Sequence, residues 1–423
     1  MKKSYYNFLF PGEDANTILY NSRTGAMARL DAEHTEQFAN WSEKELEEKT
    51  PEFASTLYKN GYMIADEVSE LDMIQYDMLR ERFGNYALSL TLAITRDCNF
   101  GCRYCYEKDI LDKCYMNDET KKAVVKYVDE HVIRGGSLHI TWYGGEPLLD
   151  MECIAFLTNA FLDICKNKGV EYSADIITNG YLLNKDVVTK LMKCKVKYIQ
   201  ITLDGDEKTH NKRRPLKSGA PSYQMIWNNI LKLVEFQNDI KIALRVNVDK
   251  ENVDALYDVK RKVLEYNMQD LILVYPGKVH VVEGCHNSDV CYSNKEFALL
   301  EQKYNCDFLE DGIEQIPKPR YMVCTVDNAH AMVIDCNGNM YKCYKQIGNE
   351  SHCIGNIVND KFYHEEELYK YLLQDITKDR KCLFCKYLPI CMGGCPYEHL
   401  KNGESCTAYK YTLEKYMKYC FKK

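Results

Sequence analysis

The sequence predicts an α/β protein built around a parallel sheet, and three observations carry that prediction. From about residue 86 to 280, short apolar runs alternate with longer amphipathic stretches through six β/α units, a rhythm that builds parallel sheets with crossover helices. The first run, Ala87 to Ile94, reads as a buried strand. Chemistry-bearing residues begin directly after it, at Cys98, and parallel sheets hold their sites at the C-terminal ends of strands.

Taken in order, residues 1 to about 85 form a first unit. Tyr5–Leu9 and Thr17–Tyr20 are short aromatic or β-branched runs, Asn21 to Gly25 is a turn signal, and Ala26–Leu30 is a return strand. Short helices with starts near Asp31, Ser42 and Pro51 follow, then a strand at Gly61–Ile64 and a linking helix from Asp66 to Arg82. Hairpin, helices and strand together suggest a small winged-helix unit, and a structural cap fits the same pattern. In the second unit, strands are expected at Ala87–Thr95, Leu138–Trp142, Tyr172–Thr178, Lys197–Leu203, Lys241–Val248 and Leu271–Tyr275. The helices between them are expected at Asn117–Ile133, Ile154–Lys166, Lys185–Met192, Tyr223–Phe236 and Val253–Tyr266, the first capped by Asn117 or Asp118. Residues 280 to about 320 lose the rhythm except for one helix, Asn294–Tyr304; beyond them the chain is rich in Cys, Gly and turn residues.

The totals narrow the function classes. A chain of 423 residues is long enough for two to four domains. A net charge of −7 leaves no basic footprint for a nucleic-acid partner. No apolar run approaches a membrane span, and the apolar stretch Tyr5–Phe10 is too short for a signal peptide, so a cytoplasmic protein is expected. Twenty cysteines in a reducing compartment point to metal or cluster ligation rather than disulfides.

Two cysteine groups have ligand spacing. Cys98, Cys102 and Cys105 form C-x3-C-x2-C. Three thiolates are one short of a closed zinc site or a fully ligated four-iron cluster, and an iron left open can bind a second molecule. The second group is Cys324-x13-Gly338-x4-Cys343, then Cys382-x2-Cys385-x5-Cys391-x3-Cys395, then Cys406. Zinc would suit Cys382, Cys385, Cys391 and Cys395 taken alone. Between the groups, Gly144-Gly145-Glu146-Pro147 ends the second strand, with glycines that admit a ligand close to the backbone and a carboxylate as a fixed acceptor. Thr178-Asn179-Gly180 ends the third strand, and Thr202-Leu203-Asp204-Gly205 with His210 to Pro215 follows the fourth.

Together these motifs resemble the radical S-adenosylmethionine (radical SAM) enzymes, and the C-terminal cysteines resemble the SPASM extension that many of them carry. The resemblance implies a partial (β/α)6 TIM-type barrel over 86–310, a SPASM domain over 311–423, and a precursor-peptide recognition domain of winged-helix type over 1–85. It implies S-adenosyl-L-methionine and three [4Fe–4S] clusters. One cluster would sit on Cys98, Cys102 and Cys105. Cys324, Cys343 and Cys395 would serve a first auxiliary cluster, and Cys382, Cys385, Cys391 and Cys406 a second. Gly144, Gly145 and Glu146 would meet the amino group of the cofactor, Thr202 its ribose, and Arg214 its carboxylate; as plain sequence, these could equally be loop residues. Asn211 replaces the Asp usual in the family. Some relatives carry a further cysteine where this chain has His330, so Cys336, Cys353 or His330 could complete the first auxiliary site, or an iron could stay open for a substrate thiolate.

The implied activity is a peptide maturase that uses a 5′-deoxyadenosyl radical to install crosslinks, thioethers above all, in a ribosomally made precursor with a leader. Its expected partners are that precursor and a low-potential electron donor such as flavodoxin or ferredoxin. Carbon–carbon crosslinking and anaerobic sulfatase maturation are the alternatives. Against the latter, Tyr344 stands where that family has an Asp base, directly after Cys343.

Overall fold

The computed structural model describes residues 1–12, 16–84, 87–236, 240–279, 288–308, 316–403 and 405–421. The expected boundaries at 85/86 and 310/311, Cys285, and the side chain of Cys420 lie outside the described residues. In chain order, the strands are β1 Lys2–Lys3, β2 Asn7–Pro11, β3 Thr17–Asn21, β4 Met27–Leu30 and β5 Met63–Ile64, with helices α1 Ala32–Asn40, α2 Glu43–Lys49, α3 Pro51–Lys59 and α4 Glu70–Phe83. The middle of the chain holds β6 Ala87–Thr95, α5 Asp118–His131, β7 Ser137–Gly144, α6 Met151–Lys168, β8 Glu171–Thr178, α7 Lys185–Lys193, β9 Val196–Thr202, α8 Glu207–Arg213, α9 Tyr223–Glu235, β10 Lys241–Val248, α10 Asp254–Glu265 and β11 Ile272–Lys278. After α11, Asn294–Phe308, come β12 Ala331–Asp335, β13 Asn339–Tyr341, β14 Gly355–Asn356, β15 Lys361–Phe362, α12 Glu365–Leu372, α13 Leu388–Cys391, α14 Pro396–Asn402 and α15 Tyr409–Phe421.

Compactness groups these elements into two units. One comprises Met1–Phe83, Ser293–Asn328 and Leu373–Lys423; the other comprises Gly84–Tyr292 and Ala329–Leu372. In the first, β2, β3 and β4 form an antiparallel sheet and β1 pairs with β5. The turn between β3 and β4 is shaped by Asn21, whose Oδ1 accepts from the backbone N–H of Arg23 and Thr24, and by Gly25 at φ +71°. Phe10, Ile18 and Tyr20 of this sheet pack with Ile390, Leu413 and Met417, and Ile74 and Met78 of α4 pack with Ile376, Leu388 and Met392. The start of the chain therefore shares its core with the C-terminal cysteine-bearing segment.

The second unit is a single sheet in the order β11-β10-β9-β8-β7-β6-β12-β13-β14-β15. Strands β6 to β11 pair in parallel with their sequence neighbours, as βαβ connections require. Alternate residues Leu88, Leu90 and Leu92 of β6 and Leu138, Ile140 and Trp142 of β7 are buried. The helices set their apolar faces toward the core, Val124 and Val128 from α5, and Ile154, Leu157 and Phe161 from α6. Caps fix where the helices start: Asn117 accepts from Thr120 N–H, Asp150 from Cys153 N–H, and Asp206 from Thr209 N–H. The last strand, β11, runs three residues past the expected Tyr275, through Pro276, which an edge strand tolerates. The parallel pairing of β12 with β6 and the antiparallel β13, β14 and β15 are additions that the cysteine-rich sequence did not predict.

Candidate functional site

Strand β6 delivers the chain into the loop holding Cys98, Cys102 and Cys105, and two other segments clamp that loop through their backbones. On one side, Gly145 N–H donates to Thr95 O (3.0 Å) and Glu146 N–H to Asp97 O (2.8 Å). On the other, Gly101 N–H donates to Pro215 O (2.8 Å) and Arg103 N–H to Arg213 O (3.1 Å). The approach of the first pair requires glycine. A Cβ on Gly144 (φ +127°) would stand 2.3 Å from Thr95 O, and one on Gly145 would stand 2.3 Å from Asp97 O. Three motifs spread over more than a hundred residues of sequence thus meet at one place.

Glu146 is fully buried. Its Oε1 accepts from Thr178 Oγ1 (2.7 Å) and Leu148 N–H (3.0 Å), and its Oε2 from Asn179 N–H (2.7 Å). Burial raises its carboxyl above the usual range, opposed by those hydrogen bonds and by Arg214. A carboxylate offers about four acceptor positions, so three donors leave one for an ammonium N–H. Arg214 is also buried, with Phe100 and Tyr104 under its guanidinium. Burial works against its charge, yet Cys102, Tyr104 and Asp204 outweigh it and keep Arg214 firmly protonated. Its Nη1 donates to Tyr104 Oη (2.7 Å), while its Nε is buried without a hydrogen-bond partner. An acceptor position on Glu146 and an unmatched guanidinium N–H are what the ammonium and carboxylate of an amino acid need, so these residues fit the methionine part of S-adenosylmethionine. Thr202 closes β9 at the same end of the sheet.

The thiols of the triad are enclosed. Burial pushes Cys98 and Cys105 up to about 12 and raises Cys102 as well. Ligation needs thiolates, so loading iron here would release protons. Among the described residues, no three Cys, His, Asp or Glu side chains converge on a point suited to a single ion; the thiolates of an iron–sulfur cluster bind separate irons and need no common point.

Residues beyond the expected cofactor contacts organise the site. Tyr104 Oη donates to Asp204 Oδ2 and accepts from Arg214 and from Asn247 Nδ2 (3.0 Å). Arg213 pairs with Asp249 (2.8 Å) and lies 3.6 Å from Asp204. His210 is held well below its ordinary value by burial and then by Arg214; neutral, it accepts from Asp204 N–H at Nδ1 and bonds Ser222 Oγ at Nε2. Asn211, standing where the family has Asp, uses its Oδ1 to accept from Ser222 and Tyr223 N–H at the start of α9. The signal for Tyr104 was its place inside the cysteine triad; Asn247, on a later strand, gave none.

In the first unit, Cys382, Cys385, Cys391 and Cys406 lie close together. A hydrogen bond from Cys406 draws Cys391 down to about 6, Cys382 interacts with both Cys385 and Cys391, and Lys410 Nζ is 3.5 Å from Cys385 Sγ. Cys324 and Cys395 belong to this unit as well, and Cys343 to the other. Of the three residues considered for completing that set, Cys353 donates to Gly355 O (3.3 Å), Cys336 Sγ lies 2.8 Å from Cys114 Sγ, and His330 O accepts from Ser89 N–H.

Comparison with known proteins agrees with this geometry. Residues 92–263 match the Radical SAM superfamily. A serine-type anaerobic sulfatase-maturating enzyme of Bacteroides thetaiotaomicron is 24% identical over 352 residues, covering 74% of this chain and 82% of the relative. The radical SAM cyclopropyl synthase TigE of Paramaledivibacter caminithermalis is 21% identical over 379 residues, covering 81% and 76%. The crystal structure of Streptococcus suis SuiB bound to the precursor peptide SuiA superposes with a TM-score of 0.53 at 18% identity, covering 95% of this chain and 97% of that one. The chain therefore carries a radical SAM domain over residues 92–263.

Proposed function

We propose that this protein is a maturase that installs thioether crosslinks in a ribosomally made precursor peptide. The observation that carries the peptide reading is the likeness to proteins described as sulfatase-maturating, as cyclopropyl synthase and as bound to a precursor peptide. Cys98, Cys102 and Cys105 would hold a [4Fe–4S] cluster, Glu146 would accept from the cofactor ammonium, Arg214 would pair with its carboxylate, and Thr202 would meet the ribose. When bound, cluster and S-adenosylmethionine supply one-electron reductive cleavage and hence a hydrogen-abstracting radical. The chain's own part is to orient the cofactor, keep Arg214 charged through Tyr104 and Asp204, and exclude water around Glu146. Cys382, Cys385, Cys391 and Cys406 would hold one auxiliary cluster and Cys324, Cys343 and Cys395 another, whose open position would take a substrate thiolate. The precursor's leader would add a strand to the edge of the β2-β3-β4 sheet within residues 1–85, and a flavodoxin or ferredoxin would supply electrons. The presence of Tyr344 after Cys343, in place of a carboxylate, supports crosslinking over formylglycine formation.

The test is anaerobic reconstitution with a cysteine-bearing peptide encoded beside the gene, followed by mass spectrometry. A loss of about two hydrogens per crosslink, with the peptide's cysteine no longer alkylated, is expected from forming a carbon–sulfur bond. An unshifted peptide in the presence of active cofactor cleavage would sink the crosslinking reading. A two-hydrogen loss with the thiol still free would replace the thioether with a carbon–carbon bond.

A further inference from the structure

Two cysteines outside the ligand sets stand against each other in the second unit. Cys114 Sγ and Cys336 Sγ are 2.8 Å apart, inside the separation of about 3.5–4.0 Å at which even carbon atoms settle and less than about 1 Å from disulfide bonding distance. Both positions are tied into the framework of the cofactor site. The backbone carbonyl of Cys114 accepts from Arg96 N–H (3.0 Å) and Thr95 Oγ1 (2.7 Å), the residues that lead into the cysteine triad. Arg96 is also doubly bonded to Asp112, which accepts from Cys114 N–H (3.1 Å). Cys336 follows β12, whose last residue, Asp335, pairs in register with Ala93 of β6. Cys114 is partly exposed and Cys336 is buried.

We propose that Cys114 and Cys336 form a dithiol modification site, closed by exchange with a small-molecule disulfide, which staples the segment behind the cysteine triad to the turn after β12. Exposure sets the order of events. The Cys114 thiolate attacks the external disulfide and releases one thiol; the Cys336 sulfur then displaces the second. One external disulfide is reduced to two thiols, two protein thiols become one disulfide, and no other oxidant is needed. The bond would close a loop between positions 222 residues apart and restrain the backbone on which Thr95 and Arg96 rest.

The experiment uses reconstituted holoenzyme under anaerobic conditions with oxidised glutathione, followed by alkylation, proteolysis and mass spectrometry. A crosslinked pair of peptides containing Cys114 and Cys336, lighter by about two hydrogens than the reduced pair, is expected, with Cys114 carrying glutathione in the Cys336→Ser variant. The Arg96 amide should exchange about tenfold more slowly in the oxidised protein. Recovery of both cysteines as alkylated thiols, under conditions that oxidise a control dithiol, would overturn the proposal. An unchanged Arg96 exchange rate would remove the staple, and a loss of about four irons from Cys336→Ser would make Cys336 a cluster ligand instead.

Discussion

At the scale of the residue, the site depends on close backbone approach and on one phenol. Ala at position 145 would drive its Cβ into Asp97 O and C, at 2.3 and 2.7 Å, and move the loop that bears Cys98. Misplacement by about 1 Å costs about 100-fold in rate, so Gly145→Ala should lower S-adenosylmethionine cleavage by about that factor, measured as 5′-deoxyadenosine released per reconstituted cluster. Tyr104→Phe removes the hydroxyl shared by Asp204, Arg214 and Asn247. Leaving buried polar groups unmatched costs about 1–3 kcal/mol, so denaturant unfolding should shift by that amount and cofactor affinity should fall with it. Cofactor affinity equal to wild type would show that Tyr104 does not position Arg214. Cys98, Cys102 and Cys105 stand out in the sequence because their spacing is local, and Glu146 because it sits in a Gly-Gly-Glu-Pro turn at a strand end. Tyr104 was visible only as an aromatic between ligands, because its partners come from the turn after β9, from β10 and from the segment after α8.

At the scale of the element, caps and register decide where side chains arrive. Asn117→Ala should cost about 1 kcal/mol, read from a lower midpoint in denaturant. The N-terminus of α2 adds a pH dependence. Ser42 and Glu45 form a reciprocal capping box, and Lys49, then Ser42, hold the Glu45 carboxyl down at about 2 against an ordinary 4.5. The folded value is depressed, so this contribution is complete above the ordinary value and is lost as pH falls from about 4.5 through about 2. Hydrogen exchange at the Ser42 amide should therefore accelerate across that window, corrected for intrinsic rates, and Glu45→Gln should flatten the response. Helices α5, α6, α7, α9 and α10 were read to within a few residues because amphipathic periodicity and caps are local signals, whereas the short α8, Glu207–Arg213, was not read as a helix. Strands β12 to β15 were not, because they are two to five residues long and their pairing to β6 and to one another lies in no single stretch.

At the scale of the whole molecule, the cores of the first unit join the two ends of the chain. Phe10, Ile18 and Tyr20 pack with Ile390, Leu413 and Met417, and Ser22 Oγ donates to Lys386 O between Cys385 and Cys391 (2.6 Å). Removal of residues 1–83 should therefore do more than take away the proposed leader-binding sheet. It should expose the surroundings of Cys382, Cys385, Cys391 and Cys406 and lower the iron content of the reconstituted protein by about four per chain. Truncated protein with full iron content would show that the C-terminal segment folds without its N-terminal partner.

The sequence by itself determined the parallel α/β sheet, the cysteine spacing and the strand-end positions of Gly144, Gly145, Glu146 and Thr202, since each follows from periodicity or from residues a few positions apart. Only the tertiary structure decided that Arg214 is held by Tyr104, that Asn211 accepts from the backbone at the start of α9, that Cys336 faces Cys114, and that the first strands share a core with the last helices. Those are contacts between residues far apart in the chain, selected by packing and by the need to satisfy buried polar groups, and neither requirement can be evaluated before the chain has folded.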